Sequence, residues 1–146
     1  MPTSAVVDAS VLVSAFLFPE SVPGRVLKLA EQGAFVLRLS PLLLNETRYA
    51  LLSTRLRDVY GHDEAAVMSW CTDLEGVGTV FDGGLPDIGQ ACRDPNDDHV
   101  IATAIAVNAG IIVTGDKDLL ALGQFQGIRI LTAREFLTEL GPDQAP

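Results

Sequence analysis

Residues 92–120 read CRDPNDDHVIATAIAVNAGIIVTGDKDLL, with acidic residues on both sides of an apolar stretch. The spacing of the apolar residues predicts a helix over 99–108, and the β-branched run 111–114 predicts a buried strand. A helix that leads into a strand of a parallel sheet runs antiparallel to that strand, so its N-terminus lies at the strand's carboxyl end. The acids before the helix should therefore meet Asp116 at one edge of the sheet.

The rest of the sequence repeats this alternation of strands and helices. Short β-branched runs bounded by Gly, Pro, Ser or Asp predict strands at 5–7, 35–39, 79–81, 111–114 and 128–131. Helical spacing predicts helices at 11–18, 22–32, 41–56, 63–75 and 99–108. A last helix follows Thr132, which has capping-box spacing with Glu135. The pattern is typical of an α/β protein with a mostly parallel five-stranded sheet and helices on both faces.

Length, charge and cysteine content limit the class of protein. The 146 residues fit one domain, which we place at 1–140, followed by a disordered C-terminal tail at 141–146. The net charge of −9 argues against a broad basic surface for nucleic acid, but not against a site that binds phosphate through metal ions. Cys71 and Cys92 lack metal-ligand spacing and fit a reducing cytoplasm. No signal peptide or membrane span of ~20 apolar residues is evident, so we expect a soluble, unprocessed cytoplasmic protein.

Two further acids are predicted at the same edge of the sheet. In AVVDAS the first strand runs directly into Asp8. The helix from Pro41 follows the second strand, so its first turns also lie at the carboxyl edge, with Glu46 on the mostly apolar side of that helix. Acids from four distant segments thus converge where open α/β sheets bind ligands.

Each acid also has a structural interpretation. Helix capping or turn formation could explain Asp8, Asp94, Asp97, Asp98, Asp116 and Asp118, and Glu46 could extend into solvent. However, carboxylates about 4 Å apart repel each other by roughly 1 kcal/mol in water and about 4 kcal/mol at a protein surface. A hard divalent cation offsets that repulsion, and Mg²⁺ or Mn²⁺ prefers carboxylate and water oxygens. A shared metal site therefore explains the acids together.

Four motifs carry a resemblance to a known family. The stretches VVDASVLVSAFL, SPLLLNETRYAL, RDPNDDHVIATA and IIVTGDKDLL resemble the acidic motifs of the PIN domain, in the family's order and over nearly the whole chain. The likeness is greatest to the toxin components of toxin–antitoxin systems, the VapC-type ribonucleases. The resemblance implies a three-layer α/β/α fold and a metal-dependent endoribonuclease.

The resemblance also implies roles for particular residues. It places Asp8, Glu46, Asp98 and Asp116 in the metal site as the catalytic acids. Asp97 and Asp118 are further metal ligands by this comparison, and Ser10 and Thr114 provide hydrogen-bonding support.

The same acids fit phosphodiester hydrolysis on chemical grounds. One or two Mg²⁺ ions neutralise the phosphate and activate a water, and a carboxylate can accept the water's proton. No histidine is needed for this, and we interpret His99 as an exposed residue of a first helical turn. Candidate phosphate contacts are Arg48, Arg55, Arg57, Arg93 and Lys117, although each could equally be a solvated surface charge.

Other functions and partners are considered beside the nuclease. A phospho-acceptor receiver domain also gathers Mg²⁺-binding acids at a sheet edge, with Asp82 as the acceptor here, and a non-catalytic PIN-like scaffold is a further alternative. The expected partners are RNA and a cognate antitoxin protein. Apolar residues within 16–29 could serve a homo-oligomer or a partner helix, or could pack in the core.

Overall fold

Strands and helices alternate along the chain in the order that the sequence pattern predicts. The computed structural model describes residues 3–141 of the 146. The strands are β1 (Ser4–Val7), β2 (Val36–Leu39), β3 (Thr79–Val80), β4 (Ile111–Val113), β5 (Gln124–Phe125) and β6 (Ile128–Leu131). The helices are α1 (Ala9–Leu17), α2 (Val22–Glu31), α3 (Pro41–Leu52), α4 (Thr54–Tyr60), α5 (Glu64–Val77), α6 (Asp98–Val107), α7 (Lys117–Leu122) and α8 (Ala133–Leu140). The predicted tail at 141–146 lies, apart from Gly141, outside the described residues.

The strand order brings the ends of β1 and β4 together. The sheet has the order β3-β2-β1-β4-β6-β5, and β1 pairs in parallel with both β2 and β4. In the β1–β4 register Val7 is opposite Val113, and the backbone N–H of Asp8 donates to the Val113 carbonyl at 2.9 Å. The residues that follow these two strands, Asp8 and Thr114, therefore lie side by side at the carboxyl edge.

The sheet has six strands, so the prediction of five was one short. The missed strand, β5, pairs antiparallel with β6 at the edge of the sheet. Gln126 and Gly127 connect the two strands, with φ angles of 48° and 85°. Positive φ at both central residues is typical of the two-residue hairpin turn that matches the twist of antiparallel strands. Because β5 has only two residues, it carries no alternating pattern that sequence reasoning could detect.

Helices cover both faces of the sheet and produce the expected three layers. Successive side chains of a strand point to opposite faces, and β1 follows this rule. Ala5 and Val7 pack in one core with the buried residues of α1, α2 and α8, such as Phe136. Val6 packs in a second core with α6 and α7, where Ile101 and Leu119 are fully buried.

Two helices differ from the sequence prediction. The predicted helix at 41–56 is divided at Ser53, which closes α3 by donating its hydroxyl to the Ala50 carbonyl and also caps α4 through Leu56 N. Helix α7 was not predicted as an element, since only six residues separate Asp116 from Gly123. In contrast, the capping box of Thr132 and Glu135 is present at the start of α8.

In the part of the chain that the structure describes, no single helix is long and apolar enough to cross a membrane. Helices α1 and α2 reach the required length only as a pair, and they are bent by 98° at the break between them.

Candidate metal centre

Asp8 is a buried carboxylate held at the end of β1 by three donors. The residue is only 8% exposed to solvent. Oδ1 accepts a hydrogen bond from Ala9 N at 2.8 Å, so Asp8 caps α1 as the structural interpretation predicted. Oδ2 accepts from the hydroxyls of Thr114 at 2.7 Å and Ser10 at 3.3 Å. These bonds fix the orientation of the carboxylate.

Thr114 and Ser10 connect the ends of β1 and β4. The fully buried Thr114 hydroxyl donates to Asp8 and accepts from Asp116 N at 3.0 Å. The Ser10 hydroxyl likewise accepts from Gly115 N at 3.0 Å. Both residues predicted as hydrogen-bonding support therefore contact the segments that carry the acids.

Three carboxylates meet beside this network. Asp97, Asp116 and Asp118 each offer one oxygen, and these oxygens lie within 4.8 Å of one another. Asp116 is the N-cap of α7, and its Oδ1 accepts from Asp118 N at 2.8 Å and Leu119 N at 3.2 Å. Asp97 precedes α6 and makes no side-chain capping hydrogen bond, so its carboxylate is available to bind a cation. We call Asp97, Asp116 and Asp118 the acidic triad.

The arrangement affects the protonation of Asp97. Burial, together with the negative charges of neighbouring acids, raises the pKa of Asp97 from 3.8 to about 6; in decreasing order of effect these acids are Asp116, Asp94, Asp8 and Asp118. The contribution of Asp8 indicates that its carboxylate belongs to the same electrostatic environment as the acidic triad. The cluster thus concentrates negative charge that a cation would neutralise.

Asp98 has different contacts from its neighbour. Its Oδ1 accepts from Cys92 N at 2.8 Å, and both carboxylate oxygens lie 3.3 Å from Ala91 N. Burial and then the adjacent Asp98 carboxylate raise the pKa of the buried Cys92 thiol to about 12. The structure therefore groups Asp97, rather than Asp98, with the acids of α7, and Asp98 holds the loop that precedes α6.

Glu46 is paired with a histidine. His99 Nε2 lies 2.7 Å from Glu46 Oε1, and the His99 side chain is 16% exposed. The interpretation of His99 as an exposed first-turn residue was therefore wrong, because the start of α6 packs beside α3. Nδ1 of His99 is buried without a hydrogen-bond partner in residues 3–141, which favours a proton on Nε2, where it can be donated to Glu46. The sequence indicates that these two residues are near each other, because Glu46 and His99 are in early turns of helices that both start at the carboxyl edge of the sheet.

The predicted phosphate contacts differ in exposure. Arg55, Arg57, Arg93 and Lys117 are exposed, whereas Arg48 is half-buried. The Arg48 guanidinium donates to Asn45 Oδ1 at 3.0 Å and is also close to the buried Cys71. Asp94 caps the short turn Pro95–Asp97 through Asn96 N at 3.0 Å, in agreement with a turn-forming role.

The donor set of this site fits a hard divalent cation. The acidic triad and Asp8 supply only carboxylate oxygens, which are the ligands that Mg²⁺ and Mn²⁺ prefer. The two cysteines, Cys71 and Cys92, are free buried thiols and are not part of the acidic triad. The arrangement is therefore an oxygen-lined centre at the carboxyl edge of a parallel sheet.

An α/β sheet with carboxylates gathered at this edge is an arrangement that metal-dependent enzymes acting on phosphate esters use. Residues 4–118 match the PIN domain, so the chain belongs to the PIN-domain family, whose members are generally nucleases. The chain is also similar to an uncharacterized protein of Methanocaldococcus jannaschii, with 31% identity over 143 residues. That alignment covers 92% of this chain and 89% of the relative.

Proposed function

We propose that this protein is an endoribonuclease that hydrolyses RNA phosphodiester bonds with Mg²⁺, or with Mn²⁺ in its place. The observation that carries the proposal is the acidic triad, in which three carboxylate oxygens lie within 4.8 Å of one another beside the buried Asp8. Membership of the PIN-domain family supports nuclease chemistry at this position. RNA, rather than DNA, is the finer part of the proposal and comes from the resemblance to VapC-type toxins.

The chain's own residues would hold and orient the reacting groups. Asp97, Asp116 and Asp118 would hold the cation, and Asp8 would join them in the orientation fixed by Thr114. When bound, the ion would supply charge neutralisation for the phosphate and a more acidic water. Glu46, paired with His99, would offer a carboxylate that can accept a proton. Asp98, by its backbone contacts, supports the loop before α6.

The biological setting is a separate part of the proposal. We propose that the protein is the toxin of a type II toxin–antitoxin pair, acting in the cytoplasm with an antitoxin as partner and as a homo-oligomer. Of the seven apolar residues that suggested an association surface within 16–29, Val26, Leu27 and Leu29 are buried in the core. Phe16, Leu17 and Val22 are partly buried against core residues. Phe18 remains 47% exposed and packs edge-to-face on Tyr60, so these two rings are the available apolar surface of that segment.

A cleavage assay tests the enzymatic proposal. The purified protein is incubated with a mixed-sequence single-stranded RNA and a DNA of the same sequence, with Mg²⁺, with Mn²⁺ or with EDTA. We expect metal-dependent cleavage of the RNA that is lost in Asp116→Asn, because asparagine still caps α7 but removes one ligand charge. Asp94→Asn is the matched control, since that acid caps a turn outside the acidic triad. Equal cleavage with EDTA, or by Asp116→Asn, would contradict the assignment.

The receiver-domain alternative has less support from the sheet. Its acceptor, Asp82, is exposed and follows the edge strand β3, and β2 separates that strand from β1 and Asp8. A phospho-acceptor must lie beside the acids that hold its Mg²⁺. Incubation with acetyl phosphate and Mg²⁺ distinguishes the two functions, and we expect no phosphoprotein. The scaffold alternative predicts no cleavage under any metal condition.

A further inference from the structure

Tyr49 is the most solvent-exposed large apolar side chain among the residues that the structure describes. It is 81% exposed, compared with 69% for Val59 and 49% for Leu42. It borders an open groove of about 640 Å³ on the outer surface of α3 and the start of α4. The groove is lined by Asn45, Arg48, Tyr49, Leu52, Ser53 and Thr54. An exposed aromatic ring beside polar donors is the composition of a surface that binds nucleobases.

The charge of this groove is opposite to that of the protein as a whole. The chain has 19 acidic residues and 10 Lys and Arg, yet the groove lining contains no carboxylate and one guanidinium. Arg55 directly follows the groove residue Thr54, and Arg57 is two residues further on. None of these arginines forms an ion pair within residues 3–141. The groove is therefore a part of this acidic surface that suits a polyanion.

The groove lies on α3, the helix that also carries Glu46. Tyr49 follows Glu46 by three residues, which places it about 4.5 Å further along the α3 axis and about 60° around it. Glu46 contacts His99, and His99 follows Asp97 of the acidic triad by two residues. A nucleic-acid strand with one phosphate at the acidic triad can therefore continue past Glu46 towards Tyr49.

We infer that this groove binds a single-stranded RNA segment next to the cleaved phosphodiester, with one base stacked on Tyr49 and the adjacent phosphates near Arg48 and Arg55. This inference rests on the proposed function for its substrate class. A protein partner could also use an exposed Tyr and Arg, but a lining with one guanidinium and no carboxylate favours a polyanion.

The affinity for RNA, measured under conditions without cleavage, tests the groove independently of the hydrolytic reaction. The dissociation constant of a fluorescent single-stranded oligouridylate is measured by anisotropy, with EDTA present, for the parent, Tyr49→Ala and Tyr49→Phe. Because stacking needs only the aromatic ring, we expect Tyr49→Ala to bind about tenfold more weakly and Tyr49→Phe to bind like the parent. Val59→Ala, which removes another exposed apolar side chain, should not change the affinity. Arg55→Gln should make the slope of log K against log salt concentration shallower by about 0.7.

A short substrate separates failure of the groove from failure of the proposed hydrolysis. With Mg²⁺, a dinucleotide too short to reach from the acidic triad to Tyr49 should be cleaved by Tyr49→Ala with the same kcat/KM as by the parent. If the parent cleaves RNA but its affinity for the oligouridylate is undetectable or equals that of Tyr49→Ala, the groove assignment is wrong. If Tyr49→Ala instead converts an oligomer into a monomer in light scattering and RNA affinity is unchanged, the face binds protein and the inference is overturned. If the affinity falls as expected and no metal supports cleavage, the groove stands and the hydrolytic function does not.

Discussion

The carboxylates of Asp97 and Asp98 have different partners, although the residues are neighbours in sequence. Asp97 contributes an oxygen to the acidic triad, whereas Asp98 accepts backbone hydrogen bonds from the loop at Ala91 and Cys92. The turn Pro95–Asp97 ends where α6 begins, so successive side chains leave the helix start in different directions. One acid is thus available for a cation, and the other stabilises the loop.

Substitution of Asp97 should remove function and leave the fold intact. Asp97→Asn removes a charge from a repulsive cluster, so the metal-free variant should have a free energy of unfolding equal to or above that of the parent. Loss of a metal-holding group should reduce RNA cleavage by at least about a hundredfold, or about 2.7 kcal/mol in the barrier. Urea denaturation in EDTA and cleavage kinetics measure the two effects.

Asp98→Asn should give a different result. The asparagine can still accept from Cys92 N, but its NH₂ group then faces Ala91 N, and the charge that strengthens these bonds is lost. We expect a metal-free stability loss of about 1–3 kcal/mol. If Asp98→Asn keeps full stability and loses metal binding, while Asp97→Asn loses stability and keeps metal binding, then Asp98 is the metal ligand and Asp97 has the structural role.

The hydrogen bond between Thr114 and Asp8 provides a third prediction. Thr114→Val keeps the side-chain shape but leaves Asp8 Oδ2 without its 2.7 Å donor and Asp116 N without its acceptor. We expect a stability loss of about 1–3 kcal/mol and weaker metal binding, because Asp8 is no longer held in one orientation. Calorimetric titration with Mn²⁺ measures the second effect.

Thr114→Ser is the matched control for that change. It keeps the hydroxyl and deletes only a buried methyl group, so it should cost about 1 kcal/mol and preserve the metal affinity. Equal metal affinities for the valine and serine variants would show that the hydroxyl does not position Asp8 for the ion.

The layers of the fold could be predicted because the sequence carries their signals locally. β-branched runs in alternation with helical spacing indicated five of the six strands, and the placement of Asp8, Asp97 and Asp116 at one edge followed from strand direction alone. The hairpin of β5 was missed because it depends on positive φ at Gln126 and Gly127, and glutamine gives little indication of that conformation.

The details of the site could not be read from spacing. Which of two adjacent acids enters the acidic triad depends on the turn Pro95–Asp97 and on the loop that Asp98 holds, and both are tertiary features. Glu46 and His99 are 53 positions apart in sequence. Their positions in early helical turns place them at the same edge, but a single sequence does not show that the two side chains pair. The sequence therefore predicts an acidic edge, and packing decides which oxygens share it.

Metal binding should stabilise the folded protein. A cation that binds only the folded state adds RT ln(1 + [L]/Kd), or about 2.7 kcal/mol at a hundred times Kd, which is roughly 8 °C in Tm for a domain of this size. Differential scanning fluorimetry with Mg²⁺ or Mn²⁺ measures the shift, and Ca²⁺ at the same ionic strength is the comparison. Asp116→Asn and Asp118→Asn should each reduce the shift, and Asp94→Asn should not. A parent whose Tm is unaffected by every cation does not hold a metal at this site.

The raised pKa of Asp97 predicts how metal-free stability depends on pH. The carboxyl has a pKa of about 6 in the folded protein and 3.8 as its ordinary value. Below about pH 4 it is protonated in both states and has no effect. As the pH rises from about 4 to about 6, the unfolded chain releases this proton first and binds fewer protons than the folded chain, so the Asp97 contribution to the free energy of unfolding falls.

That contribution should not change further above about pH 6, where Asp97 is ionised in both states. Urea denaturation of the parent and Asp97→Asn, in EDTA across this range, isolates the effect because the other acids are common to both proteins. The parent should lose stability relative to Asp97→Asn as the pH rises. Saturating Mn²⁺ should reverse the trend in the parent alone, since metal binds the ionised carboxylate and competes with the proton. Parallel pH profiles for the two proteins, with and without Mn²⁺, would remove Asp97 from the metal centre.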